Sequence, residues 1–443
     1  MHGKYLIAMQ SLIKKVSDYV KSPLLEQAFK QERLEYALNH AIEKGININL
    51  VKKMCEPNYR RKVACLILSG DYEIEPPKIA EIPKGNGEYR EVYVNAPLDR
   101  IVLSLLADTI SDVFSDMVHP CCRSYQRGLG TQETVNDISK KWKSLNAQGH
   151  VHIGYKSDFS KYFDSVKIEF IDEIFDEWER RLGCDKGTEP CINLIRKYYH
   201  QDVYFDKNEN VKFKYQSLKQ GCAIASPLAN MILYDLDEYM SNKYYAYYRY
   251  SDDCIVIGKD VEEVANDINR ISSKYGVTLN PKKVQPIYAD EWVKFLGFNI
   301  KGGLITLSKS RIKNFQHEVE NRTIKAHASY KKAKRSIYNY LYKGDHSWAS
   351  GCFGTINVQA DIEQMSLFVM DCLKACKYYQ GKNKTIKLGG LGSDLTKGEC
   401  TISRGKGKNV RTIRNVELDE NYIGLTALWK AYNYNKALFT AMI

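Results

Sequence analysis

The first seventy residues alternate apolar and polar positions with the period of a helix. From about Lys4 to Gly70 breakers are few, and Leu24, Leu25, Ala28, Phe29 and Leu34 fall on a helix face. The period then shortens. Ile79–Val94 (IAEIPKGNGEYREVYV) holds two strand-like runs around a turn rich in Gly and Asn, which predicts a hairpin. Leu98–Phe114 returns to helix, and His150–Tyr155 is a short strand leading to Asp158. Ile168–Leu182 is an amphipathic helix, and Ala225–Tyr239 predicts one helix with Pro227 in its first turn. Tyr245–Gly258 predicts two strands with Ser251–Asp252 at the turn. Val261–Tyr275 then reads as helix, and Val277–Val284 and Val293–Ile300 as strands. This irregular alternation predicts an α+β fold, a helix-backed and largely antiparallel sheet between helical N-terminal and C-terminal regions, not a doubly wound one.

The predicted hairpin tip contains YYRYSDDCIVIG, Tyr247–Gly258. Two adjacent acids beside a buried strand repel each other and cost several kcal/mol (roughly) unless something neutralises them. A solvated turn would remove that cost, and so would a cation. Asp158, at the end of another predicted strand in DFSKYFDSV, is the natural third acid. Such carboxylates can hold two Mg²⁺ ions about 4 Å apart, with Mn²⁺ as the alternative ion, for chemistry on phosphate oxygens.

Charge sharpens the picture. The 443 residues carry a net charge of +12, with a pI near 8.9, and include 32 tyrosines. Cations interleaved with aromatic rings suit a polyanion, nucleic acid above all. Lys309–Lys343 has ten Lys or Arg against two Glu, which predicts a basic helix or helix pair lying along an anion; a merely solvated face is the plain alternative. Arg404–Arg414 reads as a basic loop. Ile101–Ile110 is too short and polar to span a bilayer, and the N-terminus reads as an amphipathic helix, not a signal peptide. Twelve cysteines without a CxxC pair are expected as reduced thiols in a cytoplasmic protein; Cys372 and Cys376 lack two further ligands for zinc.

Eight blocks follow in order: IPKGNGEYRE (Ile82–Glu91), DRIV (Asp99–Val102), SYQRGLGTQETV (Ser124–Val135), DFSKYFDSV (Asp158–Val166), KQGCAIASPLAN (Lys219–Asn230), RYSDD (Arg249–Asp253), LNPKKV (Leu279–Val284) and FLGF (Phe295–Phe298). Over about Ile82 to Phe298 the series resembles bacterial reverse transcriptases, particularly those related to group II introns. The resemblance implies a right-hand polymerase: a helical extension over 1–70, fingers and palm over 71–303, a basic helical thumb over 304–350, and a region of unknown type over 351–443. It implies that Asp158 and Asp252 are metal ligands and Asp253 the third acid of the catalytic site. Lys84 and Arg90 match cations that hold a triphosphate, and Tyr162 would lie beside the incoming nucleotide. Phe163 matches an aromatic gate against the ribose 2′-hydroxyl; a core ring is the plain alternative. Gln220 and Gly221 match the segment under the nucleotide, and Lys283 a lysine near the leaving pyrophosphate. Arg123 and Arg127 fall in the block that touches template, while Phe295, Leu296 and Gly297 match the primer grip. Lys331, Lys332, Lys334 and Arg335 would follow the nucleic acid.

Two positions depart from the pattern. Ser251 stands where intron-type enzymes have Ala, and Lys219 replaces the proline of PQG. No HNH-like nuclease pattern follows the thumb region. The architecture resembles the unknown-group and abortive-infection reverse transcriptases, which implies DNA synthesis from dNTPs on a partner noncoding RNA in antiphage defence, away from membranes. Two other readings remain open: template-independent or protein-primed synthesis, with Tyr432 and Tyr434 as conceivable primers, and a non-catalytic, maturase-like RNA scaffold.

Overall fold

A computed structural model describes residues 22–42, 45–83, 88–145, 151–214, 216–344, 347–378, 386–388, 402–404 and 418–443. The N-terminal amphipathic stretch before Ser22, Lys84 and most of Arg404–Arg414 lie outside them. The chain divides into two compact units, Met1–Gly128 with Ile153–Pro286, and Leu129–His152 with Ile287–Ile443.

The first unit contains strands β1 (Lys78–Pro83), β2 (Tyr89–Val94), β3 (His152–Asp158), β4 (Val203–Phe205), β5 (Val211–Phe213), β6 (Ala246–Tyr250) and β7 (Asp253–Ile257). β1 and β2 form the expected antiparallel hairpin, with Ile82 opposite Arg90, and the sheet continues in the order β2-β1-β4-β5. In the other sheet β7 lies between β6 and β3 and is antiparallel to both. The same unit contains helices Pro23–Ala28, Gln31–Asn39, Ile48–Cys55, Pro57–Ser69, Pro97–Val113, Ile168–Arg181 and Pro190–His200. A single apolar core runs from Leu24 to Leu279 and includes Leu106, Phe175, Trp178 and Val256. The α+β, antiparallel expectation holds.

The helix expected over Ala225–Tyr239 is instead two, Ala225–Met231 and Tyr234–Lys243. In a continuous helix the Ala229 and Asn230 carbonyls would accept from residues 233 and 234. Here they accept from side chains: Tyr162 Oη and Arg249 Nη1 reach Ala229, and Arg249 Nη2 reaches Asn230 at 2.9 Å. The strand expected over Val277–Val284 is also absent. Leu279 keeps one bridge to Phe159, and Pro281–Lys283 then forms a 3₁₀ turn capped by Asn280. Pro281 lacks the N–H a ladder requires, so the strand resumes only at β8 (Gln285–Tyr288), where the chain passes between the units.

In the second unit, Val293–Ile300 is not one strand but part of a hairpin, β9 (Val293–Phe295) and β10 (Phe298–Lys301), continued by β11 (Leu304–Leu307). Leu296 and Gly297 form its two-residue turn with φ of 47° and 82°, and hairpin turns of this kind need positive φ at both positions. The basic stretch is a helix pair, Lys309–Arg322 and Tyr330–Tyr342. Tyr330, Ala333, Ile337 and Leu341 are buried at helical spacing, which leaves Lys331, Lys332 and Arg335 on the exposed side. Farther on, Tyr432 packs against Phe353 and Phe439, while Tyr434 is 87% exposed. Cys372 and Cys376 are buried free thiols, and no group of three His, Cys, Asp or Glu side chains among the described residues is arranged to hold a metal ion. No described helix is long and apolar enough to cross a membrane.

Candidate active site

The three aspartates meet where β3 ends and β7 begins. Asp158 is the direct cross-strand partner of Asp253, and directly opposed residues present their side chains on the same face. Asp252 occupies the β6–β7 turn, and its carbonyl accepts from the Phe159 N–H at 3.0 Å. On the other side, the Asp158 carbonyl accepts from the Asn280 N–H at 2.9 Å, which brings Lys283 alongside. Lys283 Nζ donates to Asp158 Oδ1 at 2.8 Å, and Lys156 Nζ lies 3.8 Å from Asp253 Oδ1.

These acids are uneasy neighbours. Burial, and then the charge of Asp158, hold the Asp252 carboxyl above its ordinary range. Burial pushes Asp253 up to about 6; Lys156 opposes this, while Asp252 and Asp158 add to it. Burial alone would lower Lys283, yet its bond to Asp158 and the field of the other two acids raise it. Hard oxygen donors crowded in this way fit a divalent cation of the Mg²⁺ type, whose charge removes their repulsion. The two lysines supply part of that compensation, and the three carboxyls do not form a ready-made ligand cluster.

Lys283 also borders a cleft of about 800 Å³, whose walls include Arg90, Phe163, Gln220, Gly221 and Tyr125. The hairpin β1–β2 supplies Arg90. Gly221, at φ 101°, runs so close under β2 that a Cβ would come within 2.7 Å of the Tyr93 carbonyl. Phe163 and Tyr162 part company. Lys161 takes a left-handed conformation, and the short helix Tyr162–Ser165 then turns Phe163 to the cleft and Tyr162 inward. The Tyr162 ring is 2% exposed and its Oη donates to the Ala229 carbonyl at 2.5 Å, so this side chain does not line the cleft.

A buried polar brace behind the aspartates was not read from the sequence. Arg249 and Asp237 are fully buried and paired, Nη2 to Oδ2 at 2.6 Å. Ser251, at φ 59°, receives an Arg249 Nη1 bond on its carbonyl at 3.3 Å and donates its N–H to Ser124 Oγ at 2.9 Å. Ser124 Oγ in turn donates to Asn230 Oδ1 at 2.8 Å. These bonds hold a non-glycine residue in a conformation costing roughly 1–2 kcal/mol. The available signal was a cation in mid-strand among buried tyrosines, a position that demands an anionic partner.

The other expected residues are more scattered. Arg123 donates its backbone N–H to the Arg249 carbonyl and stacks 5.2 Å from the Tyr248 ring centroid. Arg127 is exposed, 3.4 Å from the Asp112 carboxylate. In the second unit Phe295 is buried, while Leu296 and Gly297 form the half-exposed hairpin turn. Lys334 pairs with Asp419 at 3.1 Å.

Comparison with known proteins supplies the family. Residues 82–300 match the reverse transcriptase (RNA-dependent DNA polymerase) family. A putative COX1/OXI3 intron 2 protein of Saccharomyces cerevisiae is 21% identical over 334 residues, 61% of this chain and 36% of that protein. Protein YkfC of Escherichia coli is 23% identical over 179 residues, 40% of this chain and 44% of that protein. The chain thus spans less than half the length of these relatives. Among solved structures, apo telomerase from Candida tropicalis aligns at 13% identity and TM-score 0.43, over 69% of this chain and 58% of that one. Over residues 82–300 the chain carries a domain of the reverse transcriptase (RNA-dependent DNA polymerase) family.

Proposed function

We propose that the protein is an RNA-templated DNA polymerase that transfers deoxynucleotides by a two-metal-ion mechanism. One observation carries the reading: Lys283 bonds Asp158 and at the same time borders the cleft lined by Arg90, Phe163, Gln220 and Gly221. That links the acids to a cavity with the cations, aromatic wall and open floor a nucleoside triphosphate requires. Asp158, Asp252 and Asp253 would hold the ions, Mg²⁺ in preference to Mn²⁺, and bound ions would supply Lewis-acid stabilisation of the attacking and leaving oxygens. Arg90 on β2, together with Lys84, would clasp the triphosphate. Lys283 would face the pyrophosphate as it leaves, free to donate a proton. Phe163, in the wall of the cleft, would exclude a ribose 2′-hydroxyl. Tyr162 would support this wall from beneath.

Under this reading residues 71–303 are fingers and palm, with 1–70 as their helical extension, and Arg123 and Arg127 meet the template. Phe295, Leu296 and Gly297 would contact the primer. The helices within 304–350, with Lys331, Lys332, Lys334 and Arg335, would form the thumb, and 351–443 an accessory region. We further propose a dedicated noncoding RNA as template, a DNA product and a role in antiphage defence, with the protein acting in the cytoplasm. The test is to recover the protein from cells before and during phage challenge and to sequence its RNA and DNA. One RNA species with complementary DNA, lost in Asp252→Ala/Asp253→Ala, supports the proposal; RNA without DNA under both conditions contradicts it and leaves the scaffold reading. The exposure of Tyr434 favours a second outcome, DNA covalently attached to protein, which Tyr434→Phe would abolish.

A further inference from the structure

Lys219, the residue that departs from the family's proline, is 5% exposed. Its Nζ donates to the Gln201 carbonyl at 2.5 Å and lies 5.1 Å from the ring centroid of Tyr198 and 5.7 Å from that of Tyr93. Both rings lead to β2. Tyr93 is in β2, three residues beyond Arg90, and its N–H donates to the Gln220 carbonyl at 2.7 Å. Tyr198 Oη accepts from Asn95 Nδ2 at 2.7 Å, just past the end of the same strand. Gly221 passes against Tyr93 with no room for a side chain. A single ammonium therefore touches the end of helix Pro190–His200, the root of the Arg90 hairpin and, through its own backbone, the floor of the cleft.

A proline would stiffen this segment covalently by fixing its φ. A buried cation between two aromatic faces can stiffen it through contacts instead. We propose that Lys219 is a positioning residue that pins the Arg90-bearing hairpin to the Gln220–Gly221 floor, and so sets the affinity for the incoming nucleotide without taking part in bond formation. The nucleotide part of this inference rests on the polymerase reading; the pin itself does not.

The charge of Lys219 is open to titration as well. Burial lowers it to about 8, against the pull of Cys222 and Asp202, with Lys214 adding to the lowering. Tyr93, Tyr198 and Tyr199 complete the titratable groups around it, and burial raises all three. Lys219 therefore loses charge as pH rises through about 8, and the pin weakens as it does.

The test is Lys219→Met in the full chain, which keeps length and packing but removes the charge. Amide hydrogen exchange followed by mass spectrometry is expected to quicken in peptides covering 88–94 and 219–223 and to stay unchanged over 253–257. The KM for dNTP is expected to rise about tenfold with kcat within about twofold. In the parent this KM should climb between pH 7 and 9, and in the variant it should stay flat. Loss of a buried cation should leave the melting temperature unchanged or raised. Unchanged exchange overturns the pin even if the protein polymerises nothing. Quickened exchange with an unchanged KM in an active protein overturns its role in affinity, and a lower melting temperature with faster exchange everywhere makes Lys219 a residue of general stability. A parent inactive on every template contradicts the polymerase reading, while the exchange data still decide the pin.

Discussion

Arg249 and Asp237 face each other with no solvent exposure, Nε 2.8 Å from Oδ1 and Nη2 2.6 Å from Oδ2. The remaining guanidinium donors hold the carbonyls of Ala229, Asn230 and Ser251, so one side chain braces the broken helix and the aspartate turn together. Removing one partner of such a pair leaves the other charge buried. Arg249→Met is therefore expected to cost about 3–5 kcal/mol in urea unfolding, and Asp237→Leu added to it should recover part of the loss. A single variant as stable as the parent would mean the pair braces nothing.

In metal-free protein Asp253 should make stability depend on pH. Its folded pKa, about 6, lies above the ordinary carboxylate value, so the folded state binds the proton more tightly than the unfolded state does. The contribution is fully present below the unfolded pKa of about 4 and is lost as pH rises through 6. Asp253→Asn in EDTA should therefore melt higher than the parent at pH 7, with little difference at pH 4. Equal melting curves at pH 7 would show that the carboxyl is not strained by its surroundings.

The wall of the cleft suggests a change of sugar preference. Phe163→Ala opens space where a ring now stands, and discrimination against ribonucleotides is expected to fall about 10- to 100-fold in competing single-nucleotide incorporation. Unaltered discrimination would return Phe163 to the role of a packing ring against Tyr162, its neighbour at 5.5 Å.

The exposed cations of Tyr330–Tyr342 predict a salt effect. Replacing Lys331, Lys332 and Arg335 together with Ala should weaken RNA binding, and should reduce the slope of log affinity against log salt by about two. Weaker binding with the slope intact would place the phosphate contacts elsewhere.

Much of this site was legible because its chemistry is local. Asp252, Asp253 and the hairpin around them follow from strand alternation interrupted by a turn, and β1–β2 follows from its Gly-rich loop. What the sequence concealed depends on distant partners. The break after Met231 exists because Arg249 and Tyr162 take the carbonyls that would have continued the helix, and nothing near residue 231 announces it. Tyr162 and Phe163 are adjacent and alike, and only the left-handed turn at Lys161 decides which one faces the cleft. Pro281 was a visible stop signal that the apolar pattern of Val277–Val284 obscured.

On this proposal Asp158, Asp252 and Asp253 form a metal-dependent polymerising site. This is tested most directly by extension of a DNA primer on an RNA template with dNTPs and Mg²⁺, comparing the parent with Asp252→Asn. Template-directed extension by the parent, abolished by EDTA, is expected, with a loss in the variant of at least about a hundredfold and the melting temperature preserved. Extension by Asp252→Asn at the parental rate would contradict the proposal.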